Sequence, residues 1–238
     1  MPKITIVETG LVPPEHRARH GSFPQMFERM IGAVDASASF ATVRLVDGDA
    51  LPDPAGLDAI LITGSPAGVY DDLGWIAPLE RFVRTAYDAR APMVGVCFGH
   101  QLIAQALGGV VRKSEKGWGI GRHVYDVLPG NGVIDGDKIA IAASHQDQVI
   151  APPAGATTIV HSTFTPHAGI LYGNGATLSV QPHPEFTAAF AQVCCEKAGQ
   201  YSAPETLVAI ARASLDQPLD HADLGRAITR FLARPRRS

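Results

Sequence analysis

Hydrophobic and polar positions fall into two textures along the chain. Short apolar, β-branched runs at residues 4–7, 41–45, 59–63 and 93–96 read as buried strands. Such strands suit a parallel sheet, because a strand covered on both faces has no polar side to present. Between them, residues 24–34 and 75–89 carry helical spacing, and in the second Ile76, Leu79, Phe82, Val83 and Ala86 share one face. Alternation of strand and helix predicts an α/β fold. From about residue 110 to 180 the runs shorten and are split by turns such as Pro129-Gly130-Asn131-Gly132 and Gly173-Asn174-Gly175, which favour antiparallel hairpins. Residues 188–199, 204–215 and 222–232 return to helical spacing and are expected to cover one face or edge of the sheet. The pattern therefore predicts a mixed, centrally parallel sheet flanked by helices. No internal repeat, composition break or low-complexity linker divides it, so residues 1–238 read as one domain, a core of about 1–190 with a C-terminal helical extension of about 190–238.

Residues 91–111 contain no Asp, Glu, Lys or Arg, which raises the question of a membrane span. Pro92, four glycines, His100, Gln101 and Gln105 answer it: the segment reads as a buried strand, turn and helix. The N-terminus enters a β-rich run at once, without the apolar stretch of a signal peptide. With 20 basic and 23 acidic residues the formal charge is -3, and only Arg234, Arg236 and Arg237 cluster one sign. Neither nucleic acid nor an anionic membrane is an expected partner. Cys97, Cys194 and Cys195 form no C-x-x-C pair, which points to a reducing compartment and a cytoplasmic location. His16 and His20 are the one tempting metal pair, but they lack a third ligand, and a solvated loop or helix start explains them better. No cofactor is expected.

Chemistry concentrates where the run at 93–96 meets Cys97 and a helical pattern follows. A nucleophile on so sharp a strand-to-helix turn needs small neighbours two residues before and after it, and Gly95 and Gly99 supply them. A helix N-terminus at Cys97 also aims unpaired N–H groups at the sulfur and favours the thiolate. The alternative is that Cys97 is a small buried hydrophobe. A nucleophile needs a base, and the base an orienter. Gln181-Pro182-His183-Pro184-Glu185-Phe186 follows an apolar run and offers both. If the segment is extended, His183 and Glu185 face one side and can meet. A strand-end His and Glu satisfied by backbone or water is the other reading. For a developing oxyanion, the N–H of Phe98 follows from elbow geometry, and the N–H of Gly64 or Ser65 is the expected second donor, unless Gly64-Ser65-Pro66 is a plain strand-to-helix turn.

These residues resemble the class I, triad-type glutamine amidotransferases. The nucleophile signature agrees from Pro92 through Val94, Gly95, Val96, Cys97, Phe98, Gly99 and Gln101 to Ile103. Three further blocks agree in order: Thr63-Gly64-Ser65-Pro66, Ser144-His145-Gln146-Asp147 and the segment from Gln181 to Phe186. The resemblance covers roughly residues 1–190 and looks most like the domain found in GMP synthase and in stand-alone relatives. It implies a flavodoxin-like amidotransferase fold in which Cys97 attacks the side-chain amide of glutamine. His183 would act as base and acid, Glu185 would orient it, and a γ-glutamyl thioester would be hydrolysed to glutamate. It further implies that Gln101 and the loop at Ser144 and His145 hold the amino-acid end of the substrate; Asp147 either binds ligand or stabilises a turn.

Two departures bear on function. Gly64-Ser65 stands where GMP synthase has two glycines, a small change if only backbone N–H is used. No phosphate-cradling glycine loop or synthetase domain follows. The ammonia is therefore expected to pass to a synthetase partner in trans, or the enzyme acts as a hydrolase on glutamine or another γ-glutamyl compound, as a γ-glutamyl peptidase does. Peptidases built on a similar elbow usually carry His after the cysteine, where this chain has Phe98. Trp118 either lines the substrate mouth or packs internally.

Overall fold

The computed structural model describes residues 2–235, so Arg236 and Arg237 of the basic tail lie outside it. Its chain order is β1 (Lys3–Glu8), α1 (Pro14–His20), α2 (Phe23–Gly32), β2 (Ser39–Arg44), β3 (Ala59–Ile62), α3 (Ile76–Asp88), β4 (Met93–Val96) and α4 (Phe98–Ala106). Seven strands follow: β5 (Val110–Lys113), β6 (Gly119–Val127), β7 (Lys138–His145), β8 (Asp147–Ala151), β9 (Thr157–His161), β10 (Gly169–Leu171) and β11 (Thr177–Val180). The chain then closes with α5 (Ala188–Tyr201), α6 (Glu205–Ser214) and α7 (His221–Leu232).

Nine strands form one sheet in the order β2-β1-β3-β4-β11-β10-β9-β6-β7, and β5 pairs with β8 separately. Neighbours from β2 to β11 run parallel and those from β11 to β7 antiparallel, so the mixed, centrally parallel sheet expected from the sequence is what forms. Helices flank both faces. One face packs Ile4, Ile6, Val94 and Val96 under Phe27 and Ile31 of α2 and Leu224, Ile228 and Phe231 of α7. The other packs Ile60, Ile62 and Met93 under Leu79, Phe82 and Val83 of α3 and Leu102 and Ile103 of α4. Each such fully buried side chain contributes about 1.5–3 kcal/mol of transfer free energy. A third cluster, around Phe186, Phe190, Cys195 and Ala211, seats α5 and α6 on the antiparallel half. Among the described residues no helix is long and apolar enough to cross a membrane.

The predicted strands and helices recur within a few residues, with one difference of environment. Residues 41–45 read as a buried strand, yet β2 is the outer strand of the sheet and much of it is exposed. An edge strand keeps β-branched composition for its pleat while one side meets solvent. Helix α2 begins earlier than apolar spacing suggests because Ser22 and Gln25 form a capping box, each side chain accepting from the other's backbone N–H. The uncharged stretch from 91 to 111 is explained by α4, which is buried nearly all round; even its His100 is enclosed, with Nδ1 2.7 Å from Ser179 Oγ on β11. Arg234 of the basic tail is engaged with the Gly132 carbonyl and the Phe231 ring.

Close packing of α4 rests on two glycines. A Cβ on Gly95 would sit 2.4 Å from the Gly99 carbonyl oxygen, and one on Gly99 2.4 Å from the Ile62 carbonyl oxygen, whereas one on Gly32 would meet nothing within 4 Å. We expect Gly95→Ala to lower unfolding free energy by about 1–3 kcal/mol or more through overpacking. Gly32→Ala should raise it by about 0.4–1 kcal/mol by restricting the unfolded chain. Urea titration of both variants measures this; equal midpoints would contradict it.

Candidate active site

The parallel strands deliver their C-terminal ends to one edge of the sheet, where α/β proteins place ligand crevices. Cys97 emerges from β4 there. Its backbone takes φ 53° and ψ -102°, a positive φ that is rare outside glycine, and α4 starts at the next residue. The Cys97 N–H is held by the Val180 carbonyl at 2.9 Å, while Sγ points toward the Ser144 carbonyl oxygen at 3.9 Å. Phe98, the first residue of α4, has no intrahelical acceptor for its N–H, and its ring is buried against Trp75.

His183 and Glu185 meet as the sequence suggests, but by another route. Residues 184 and 185 form a turn, with the Phe186 N–H approaching the His183 carbonyl at 3.4 Å, so the segment is not extended. Proline presets the φ that such a turn requires. The turn brings His183 Nδ1 to 2.7 Å from Glu185 Oε1, with the two side chains 5% and 0% exposed. Among the described residues Glu185 Oε2 has no hydrogen-bond partner. The His183 ring stacks face to face on Phe186, 4.0 Å between centroids and 8° from parallel. Burial works against a charged imidazole, but the Glu185 carboxylate, and after it the Cys97 sulfur, outweigh it and hold the His183 pKa well above the ordinary value.

Gly64 lies directly over this pair: a Cβ there would fall 3.1 Å from His183 Cε1 and 3.7 Å from Cys97 Cβ. The loop that carries Gly64 and Ser65 is fixed from behind. The Thr9 N–H donates to Thr63 Oγ1 at 3.0 Å, and Thr9 Oγ1 lies within 3.2 Å of the Thr63 and Gly64 carbonyl oxygens. Gly10 has its Cα against Ser65 and Pro66, where a Cβ would come within 2.9 Å of both. Sequence reasoning misses Thr9 and Gly10, although a glycine just past the end of a buried strand is a signal of close backbone approach.

The remaining candidates border a cleft of about 720 Å³ that opens from Cys97. Ser144 and His145, expected in a loop, are instead the last two residues of β7, where a strand that reaches a cleft can turn polar. His145 is buried, both its ring nitrogens lack partners among the described residues, and burial brings its pKa down to about 3, so it is neutral at pH 7. Gln101 Nε2 donates to the Asp147 carbonyl at 2.8 Å and to Gln181 Oε1 at 3.1 Å, which ties α4 to the start of β8. Asp147 takes the Tyr70 hydroxyl on its carboxylate at 2.9 Å; burial, then this bond, pushes the Tyr70 pKa up to about 12. Trp118 both lines the cleft and packs, its Nε1 donating to Ser202 Oγ at 2.9 Å.

One wall is not foreseen from the sequence. Phe190, Val193, Cys194, Lys197 and Tyr201 of α5 line the cleft, at a spacing of three or four residues that is visible in the sequence but has no partner there. Burial pushes the thiols of Cys194 and Cys195 up, so both stay protonated at neutral pH. His20 is enclosed against Phe190 at the end of α1. Among the described residues no group of three or more His, Cys, Asp or Glu side chains could hold a metal.

Comparison with known proteins follows the same lines. The chain is 31% identical to gamma-glutamyl peptidase 5 of Arabidopsis thaliana over 60% of its own length and 60% of that protein's. It is also 31% identical to one subunit of the glutamine-hydrolyzing GMP synthase of Sulfolobus acidocaldarius, over 54% and 67% respectively. The chain thus spans about 55–60% of the length of the first curated relatives it matches. Its fold is shared with a glutamine amidotransferase from Thermotoga maritima, with a TM-score of 0.74 and 17% identity over 98% of this chain and all of the other. A glutamine amido transferase from Methylobacillus flagellatus gives a TM-score of 0.76 and 18% identity over 98% and 94%. The family model described as glutamine amidotransferase class-I matches residues 20–192, and so the chain belongs to the class-I glutamine amidotransferase family.

Proposed function

We propose that this chain is an amidohydrolase of γ-glutamyl amides, glutamine among them, that works through a thioester on Cys97. The observation that carries the proposal is the strained cysteine facing a buried imidazole whose other nitrogen is bound to a buried carboxylate. With Nδ1 committed to Glu185, Nε2 is the nitrogen left for the sulfur and the leaving group. The raised His183 pKa favours an imidazolium beside the sulfur at rest, ready to act as the acid. Sγ attacks the γ-carbonyl carbon and a C–S bond forms. The oxyanion is met by the N–H of Phe98 at the start of α4 and by the N–H of Gly64 or Ser65. As the C–N bond breaks, the departing nitrogen takes the proton from His183. Water then adds to the thioester, gives its proton to His183, and the C–S bond breaks to release glutamate and the thiolate. Gln101, Ser144 and His145 border the part of the cleft that would hold the amino-acid end.

A second reading is favoured by the Sulfolobus relative, which is named as one subunit of a glutamine-hydrolyzing synthase: the same chemistry would supply ammonia to a synthetase partner in trans. The two readings share the thioester and differ in what finishes the reaction.

Cys97→Ala should reduce amide hydrolysis by roughly 10⁴–10⁶-fold. Cys195→Ala, altering a thiol inside the core beneath α5 and α6, should leave turnover within a few-fold. Steady-state assays of glutamate release check both, and normal turnover by Cys97→Ala would sink the mechanism. Labelling gives an independent readout: 6-diazo-5-oxo-norleucine should add once, on Cys97, at a rate that excess glutamine or another γ-glutamyl compound slows. Adduct formation indifferent to all of them would point to another acyl substrate.

The pH profile tests Glu185. Its carboxylate stabilises the imidazolium, so in Glu185→Gln the His183 pKa falls and the alkaline limb of kcat/KM moves to lower pH. The rate should fall by about 10²–10⁴-fold with it. An alkaline limb that stays in place would remove Glu185 from the mechanism.

A further inference from the structure

The two ends of the cleft differ in chemistry. Around Gln101, Tyr70 and Asp147 it is polar and hydrogen-bonded. Around His183 it is aromatic: the ring leans on Phe186, whose own ring meets Phe190 edge-on at 4.7 Å and lies 6.2 Å from Phe23. Phe23, Phe186, Phe190 and Val193 all face the cavity, and Leu11 and Tyr201 continue its apolar lining to the rim, where they stay 42% and 71% exposed. This wall comes from α5, the segment between β11 and α5, the start of α2 and the segment after β1, so the chain builds it without help.

Direction is set by the proton. The departing nitrogen must reach His183, since that ring is the acid, so whatever the nitrogen carries extends along the His183 side of the cleft. That side is the aromatic one. Ammonia has no apolar surface to bury, and a cavity of about 720 Å³ is far larger than free glutamine needs; pockets of about 300–1,000 Å³ hold drug-sized ligands. Exposed apolar side chains that ring a pocket are a mark of a ligand that covers them.

We propose that the Phe23, Phe186, Phe190 and Val193 wall is a subsite for an apolar leaving amine, and that the substrate is the γ-glutamyl amide of a hydrophobic amino acid or amine. The inference rests on the γ-glutamyl acyl-enzyme reading above and names its substrate class. Acylation breaks the C–N bond, and the amine leaves neutral with the His183 proton and the nitrogen's lone pair. Lys197 lines the same cleft, its Nζ 3.1 Å from Glu15 Oε1 of α1.

The test is kinetic, on the purified full chain, with γ-glutamyl-phenylalanine, γ-glutamyl-glycine and glutamine. Burial of the phenyl group should favour γ-glutamyl-phenylalanine over the other two by about 10–100-fold in kcat/KM. Val193→Asp and the surface change Tyr201→Ser should each shrink that ratio, and Tyr201, being mostly exposed, does so without risk to the core. Comparable rates on all three substrates, or glutamine preferred, with Cys97 still labelled by the diazo-ketone, would overturn the subsite and leave the γ-glutamyl mechanism standing. So would turnover of none of them with labelling intact. Absence of both turnover and labelling would overturn the γ-glutamyl mechanism and the subsite together.

Discussion

Backbone touches backbone where β3, β4 and α4 converge, and no side chain, even a methyl group, fits between Gly99 and the Ile62 carbonyl or between Gly95 and Gly99. This approach forces the chain to turn within one residue, and that residue is Cys97. Its positive φ is conformational strain that the surrounding packing sustains. The Gly99 N–H is held by the Thr63 carbonyl, so the tight turn is also tied to the strand that leads into the Gly64 loop. Cys97 and the Gly64 loop are thereby placed by one contact rather than two independent ones.

A second balance concerns charge. His183 and Glu185 are both nearly sealed from water, and burying two ionisable groups is unfavourable unless each answers the other. Here the carboxylate has one oxygen on the imidazole and one with no hydrogen-bond partner among the described residues, so the imidazole is what it acts on. His100 and His145, equally buried but without a carboxylate, go the opposite way and stay neutral. His100, His145 and His183, all buried, thus take two protonation states, and the neighbour decides which.

Much of this is legible in the sequence, for identifiable reasons. Strands 59–62 and 93–96 announce themselves because burial on both faces excludes polar residues, and Gly95, Cys97 and Gly99 because an elbow tolerates little else. Other features fail to show because they depend on what lies across the fold. Apolar composition cannot tell that β2 sits at the sheet's edge, since strand order is tertiary information. Ser144 and His145 look like loop residues, but a strand ending at a cleft carries polar side chains too. Two prolines around His183 suggest extension, while Pro184 equally suits the turn that forms. The cleft face of α5 has helical spacing, yet nothing in a one-dimensional string says that Phe190 and Tyr201 look toward Cys97.

The parallel pairing of β4 with β11 carries one more consequence. Val96 lies opposite Val180, and each strand ends there, so Cys97 and the segment to His183 leave the sheet side by side. Strand registry therefore acts as the ruler that sets the reach from the His183 ring to the Cys97 sulfur. Slippage by one residue would turn every side chain of β11 to the opposite face, and slippage by two would carry His183 about 7 Å along the strand. The buried Ser179, bonded to His100 of α4 on one side and Tyr172 on the other, pins that alignment from within the core, one residue before β11 ends.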